Sequence, residues 1–151
     1  MNIVIRPIQE GDAADWNRLF RAYIEFYCAT VPDDVIGSTW RRALAGADGL
    51  HGLIALNNGS GEALGIATLV FHRSTWSPTW YCYLEDLYVE GSARGRGVGR
   101  ALIEAIYAEA DRRDATRTYW ATQEGNKVAR RLYDEVGELT EFVQYRRREP
   151  E

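Results

Sequence analysis

Three alternate glycines, Gly95, Gly97 and Gly99, stand among three arginines, Arg94, Arg96 and Arg100, shortly after an aromatic-rich stretch that carries two adjacent carboxylates, Glu85 and Asp86. Glycines strip side chains from a turn, while the first amides of a helix have no intrahelical partner and lie at the positive end of its dipole. A glycine turn that opens a helix is therefore a cradle for an anion, and a phosphate group suits it best. The carboxylates suit another task, which is to hold a cation or to accept a proton directly or through a water. Successive strand residues point to opposite faces, so only one of the two faces a reacting centre unless a bulge intervenes, and Glu85 is the favoured one.

Two common phosphate loops do not fit this run. The dinucleotide fingerprint requires glycine where Arg100 stands, and the phosphate loop of NTPases requires a Gly-Lys-Ser/Thr ending that the chain lacks.

The cradle needs a strand, a turn and a helix in that order. Residues 80–89 read as a central strand, and after the glycines Ala101, Leu102, Ile106 and Ala110 recur on one face of a helix reaching about Asp114. Upstream, residues 3–6 read as a short strand ended by Pro7. A helix follows from Gly11 and Asp12, with Trp16, Leu19, Phe20, Tyr23, Ile24 and Tyr27 at helical spacing. Residues 33–45 read as a second helix. Residues 50–56 and 63–72 read as strands joined by a hairpin turn at Asn57-Asn58-Gly59-Ser60-Gly61, and Pro78 marks a further turn. Downstream, residues 116–122 read as a strand, 126–136 as a helix and 140–147 as a last strand. No repeat, linker or low-complexity run divides the chain, so one domain over residues 1–151 is expected.

The run Arg94-x-x-Gly97-x-Gly99 resembles the R/Q-x-x-G-x-G/A motif of the GNAT superfamily of N-acetyltransferases. The run Asn126-x-x-Ala129-x-x-Leu132-Tyr133, with Gly137 after it, resembles that family's second signature. The likeness follows the element order of nearly the whole chain and is strongest over residues 81–137. It implies an α/β (α+β) fold with a mixed, mostly antiparallel central sheet flanked by helices, in the order β-α-α-β-β-β-α-β-α-β. It implies acetyl-CoA as cosubstrate, its pyrophosphate held by backbone amides from Gly95 through Arg96, Gly97, Val98 and Gly99 to Arg100. It implies pantetheine contacts from the backbone around Leu87, Tyr88 and Val89, and a hydrogen bond from Asn126. Tyr133 is placed as the general acid that protonates the departing thiolate.

Acetyl transfer requires a neutral nitrogen, yet an alkylamine has a pKa near ~10.4, so removing its proton at pH 7 costs roughly 4–5 kcal/mol. Glu85 is the expected base or amine-binding group, with Asp86 beside it. The stretch from Tyr83 to Val89 is similar to the corresponding strand of diamine and polyamine N-acetyltransferases, with Trp76 before it. That similarity implies a small cationic amine, held by the carboxylates and by aromatic faces that include Tyr23, Tyr27 and Trp76. A protein amine, an amino acid or a drug-like amine is the alternative acceptor. A non-catalytic acyl-CoA sensor is the alternative of another class.

A net charge of -4 gives no drive toward nucleic acid. No apolar run approaches the ~20 residues that cross a bilayer, which points to a cytoplasmic protein without a membrane partner. The two cysteines, Cys28 and Cys82, and the two histidines, His51 and His72, are scattered, so no metal site or disulfide framework is expected and the histidines read as surface or edge residues. The last strand, with Phe142, Val143 and Tyr145, suggests pairing across a two-fold axis in a homodimer.

Overall fold

The computed structural model describes residues 2–150. The chain falls into two compact units that part between Ala121 and Thr122. The first unit holds a five-stranded sheet in the order β1 (Ile3–Pro7), β2 (Leu50–Asn57), β3 (Ala63–His72), β4 (Trp80–Val89) and β5 (Ala115–Tyr119). Neighbours pair antiparallel except β4 with β5, which are parallel. A parallel pair needs a crossover, and the helix α3 (Val98–Arg112) supplies it.

Between β1 and β2 come α1 (Ala13–Phe26) and α2 (Asp33–Ala45). The entrance to α1 is fixed by Asp12, whose carboxylate accepts from both Arg6 guanidinium nitrogens, at 2.7 and 3.0 Å, and from the Gln9 amide at 2.7 Å. Trp16, Leu19 and Phe20 recur at i, i+3 and i+4 and are buried, each contributing about 1.5–3 kcal/mol of apolar burial. The helix closes where Cys28 turns left-handed at φ 52° and the Ala29 amide donates back to the Ile24 carbonyl at 3.1 Å. In α2, acidic Asp33 and Asp34 occupy the first turn and Gly46, at φ 67°, ends it.

The sheet has two covered faces. Ile54 and Ile66 pack with Trp16, Leu19, Phe20 and Ile36 under α1 and α2. On the other face, a Cβ placed on Gly65 would lie 3.3 Å from Leu102 of α3. The expected class, with its mixed and mostly antiparallel sheet flanked by helices, is the observed one.

The second unit contains α4 (Lys127–Val136), with Asn126 at its N-cap and the Gly137 amide donating to the Tyr133 carbonyl at 2.8 Å. The last strand expected over residues 140–147 is not formed. Residues 138–150 carry no regular structure, and Leu139, Phe142, Val143 and Tyr145 are each at least 76% exposed. Strand propensity alone does not hold a strand without a ladder partner, and Phe142 next to Val143 breaks the alternation that would give one apolar face.

Candidate active site

In the β3–β4 ladder Thr68 stands opposite Asp86, and the next pair is Leu69 with Leu84. Glu85 is the extra residue of a bulge. Gly65 faces Leu102 of α3, so Leu69, four residues along β3, and its partner Leu84 lie on the α3 side and Glu85 points to the α1 side by alternation. Asp86 shares that side because its partner Thr68 alternates with Leu69. The bulge therefore aims both carboxylates at one face, where strict alternation would have separated them.

The environments of the two acids differ. Glu85 is exposed, whereas Asp86 is half-buried. Burial pushes the Asp86 carboxyl up to about 6, and the neighbouring Glu85 charge adds to this, against the hydrogen bonds from the Thr68 and Tyr23 hydroxyls that favour its ionised form. The Tyr23 phenol is itself raised, first by burial and then by the Asp86 charge. Its ring lies 5.2 Å from Tyr27 and 6.1 Å from Tyr88, both edge-on, so α1 brings two of the expected tyrosines to the carboxylates' side of the sheet. Trp76 lies in the turn before β4, at the end away from the glycines, and is 85% exposed.

Toward the glycines, the ladder between β4 and β5 ends at Tyr83 opposite Tyr119, while β4 runs on to Val89. From Leu84 to Val89 that edge of β4 has no ladder partner among the described residues, which leaves backbone groups of Leu87, Tyr88 and Val89 along an open edge. The Val89 carbonyl already accepts from Arg94 Nε at 3.0 Å. The Arg94 guanidinium also lies 5.2 Å from the Phe26 ring centroid and 5.5 Å from that of Tyr88, tying the loop to α1 and β4.

Gly95 and Gly97 take the left-handed conformation at φ 76° and 84°, and a Cβ on either would meet nothing within 4 Å. Backbone conformation and open space, not crowding, account for glycine there. Gly97 is the N-cap of α3, Val98 is buried beneath the turn, and Gly99 lies inside the first helical turn. Among the described residues no side chain caps this N-terminus. Arg96 is exposed and Arg100 half-buried beside it. An uncapped helix start with open space over its glycines and cationic side chains nearby fits a diphosphate.

In the second unit, Asn126 occupies the N-cap position of α4 without capping it, and its Nδ2 donates to Thr122 Oγ1 at 3.2 Å. Tyr133 lies two turns along that helix and is half-buried.

Sequence reasoning missed Thr68, whose hydroxyl holds Asp86, and an aromatic cluster of Tyr81, Tyr83, Tyr119 and His72. Tyr83 and Tyr119 have ring centroids 4.8 Å apart, and His72 Nε2 lies 2.6 Å from the Tyr119 hydroxyl. The alternation Tyr81, Tyr83, Glu85 was the available signal for the strand's half of it; nothing local pointed to Tyr119.

Residues 15–137 match the acetyltransferase (GNAT) family. The chain belongs to the GNAT family. This GNAT protein is 35% identical to the D-amino-acid N-acetyltransferase HPA3 of Saccharomyces cerevisiae over 96% of its own length and 90% of the relative's. It is 32% identical to the thialysine N-epsilon-acetyltransferase of Bos taurus over 92% and 86%. Its fold superposes on AAC(6')-Iy, solved in complex with a CoA-linked bisubstrate analog, with a TM-score of 0.84, 23% identity and coverage of 99% and 100%. The GNAT chain is an acetyl-CoA-dependent N-acetyltransferase. Among the described residues, no helix is long and apolar enough to cross a membrane, and no group of His, Cys, Asp and Glu side chains is arranged to hold a metal ion.

Proposed function

We propose that this enzyme acetylates the primary amine of a small cationic acceptor on the tyrosine-lined face of β4. The observation that carries this reading is the bulge that turns Glu85 and Asp86 to one side of the strand, beside Tyr23. Acetyl-CoA supplies the activated acetyl thioester. The amides from Gly95 to Arg100 hold its diphosphate and the open edge at Leu87 to Val89 lines its arm; the signature that carries Asn126 assigns that residue a hydrogen bond to the cofactor.

Glu85, the exposed acid, meets the incoming ammonium. Asp86 takes the proton from the amine nitrogen, a role that suits a carboxyl that burial has raised to about 6. The base role thus moves from Glu85, favoured on sequence, to its neighbour. Tyr133 donates a proton to the departing sulfur, and the Tyr23 and Tyr27 rings flank the acceptor. Trp76 remains a candidate for its outer end.

The acceptor is a diamine or polyamine on one reading and an amino acid on the other; relatives named for D-amino acids and for thialysine favour the second. Thiol release from acetyl-CoA across a panel of polyamines, amino acids, peptides and aminoglycosides tests the proposal. Turnover of at least one small amine is expected, and a preference for peptide amines overturns it. A homodimer completed by residues 140–147 belongs to the same set of proposals, tested by sedimentation.

A further inference from the structure

The face that carries Glu85 and Asp86 continues toward the start of β4 with Tyr83 and Tyr81, and β5 adds Tyr119 and Arg117 in register with them. Tyr83 packs on Tyr119, and the Arg117 guanidinium lies 4.6 Å from the centre of the Tyr81 ring. Burial first, and the Glu85 charge after it, raises the Tyr83 and Tyr119 phenols, while the Arg117 charge lowers that of Tyr119, so Tyr119 lies within reach of both charges. The row thus runs from a guanidinium through aromatic rings to a pair of carboxylates.

His72 holds the middle of the row. Its Nδ1 lies 2.8 Å from the Arg73 carbonyl, which only accepts, so in the neutral ring Nδ1 carries the proton and Nε2 accepts from the Tyr119 hydroxyl. The Tyr119 ring is thereby fixed against Tyr83. Arg117 and Glu85 are exposed, Tyr119 is 37% exposed and Tyr83 half-buried, while Tyr81 is buried beneath Arg117, so the row from Arg117 through Tyr119 and Tyr83 to Glu85 is open to a ligand.

We propose that this row binds an acceptor that carries a carboxylate at the end away from its reacting amine, a class to which ω-amino acids and lysine-like molecules belong. Arg117 receives the carboxylate, the tyrosine rings cover the intervening methylenes, and Glu85 meets the ammonium. Tyr81 and Glu85 are separated by about 13 Å of strand. Long side chains at both ends shorten that gap to the reach of an extended amino acid. A diamine would bring its second ammonium against Arg117. The proposal rests on the reading that Glu85 and Asp86 receive the amine, and adds the chemistry of the far end.

The test compares ε-aminohexanoate, hexylamine and diaminohexane as acceptors by thiol release, in the native enzyme and in Arg117→Gln and Arg117→Lys. A kcat/KM for ε-aminohexanoate about tenfold above that of hexylamine is expected, as one charge-assisted hydrogen bond would give. Arg117→Gln should bring the ratio near one and Arg117→Lys restore part of it. Equal use of the acid and the simple amine, preference for the diamine, or a ratio unmoved by Arg117→Gln overturns the proposal. Calorimetric binding of ε-aminohexanoate to the native protein and to Arg117→Gln decides the same question without turnover. If no amine releases thiol, the reading of the carboxylates as the amine site fails separately, while weaker binding in the variant still supports the Arg117 contact and equal binding still overturns it.

Discussion

Thr68 faces Asp86 across the β3–β4 ladder and donates its hydroxyl to it, so the side chain that steadies the half-buried acid also marks where the register slips. Thr68 is 2% exposed and Asp86 is half-buried, and the unpaired Glu85 beside them is exposed. A single inserted residue thus divides two adjacent carboxylates into one that water reaches freely and one held above its ordinary range.

Replacing Asp86 by Asn should lower kcat/KM about 10²–10³-fold and abolish the limb of the pH–rate profile that rises through about 6. The same carboxyl affects stability. Its folded pKa lies above its unfolded one, so its stabilising contribution is complete below the unfolded value of 3.8 and is lost as pH rises through about 6. Urea unfolding should show the native protein losing about 3 kcal/mol from this group between pH 4 and 8, with a flatter profile in Asp86→Asn. A native activity profile without a limb near 6 argues against Asp86 as the base.

Glu85→Gln should act mainly on acceptor affinity, raising KM for a cationic amine about tenfold with a smaller change in kcat. A loss confined to kcat would return the base role to Glu85.

Tyr133→Phe should cut kcat about 10²-fold and leave the calorimetric affinity for CoA as it is. Unchanged turnover removes Tyr133 from the mechanism.

Gly97→Ala puts a side chain on a left-handed backbone, at φ 84°, which costs about 1–2 kcal/mol although the space is open. The fall in CoA affinity should exceed that of a Gly11→Ala control, whose Cβ also meets nothing but which lies far from the cradle in sequence. Equal affinities would mean that the N-terminus of α3 does not hold the diphosphate.

Asp12→Ala should cost about 2–4 kcal/mol, because it strips a partner from Arg6 and from the Gln9 amide at a site where the acid is only 7% exposed. The hydrogen bond from Arg6 holds the Asp12 carboxyl below its ordinary value. Its contribution is therefore present above about pH 4 and lost as pH falls through the lowered pKa. The gap between native and variant melting temperatures should narrow in acid.

Interactions within a few residues made much of this protein legible as a sequence. Helical spacing from Trp16 to Ile24, the acidic start and Gly46 stop of α2, and the strand–glycine–helix passage through Gly97 all depend on local backbone preferences, and the places of these elements followed from them. The register of β4 does not. Whether Glu85 pairs or bulges is set by how Leu69 and Thr68 meet the strand from the other side of a turn. Tyr119 reaches Tyr83 only because a crossover helix returns β5 to the sheet, and residues 140–147 have strand-forming side chains but no ladder to join. The sequence by itself determined which groups this enzyme has and where its chain must turn. Only the tertiary structure decided which acid is buried and which rings share its face, because register and burial depend on partners distant along the chain.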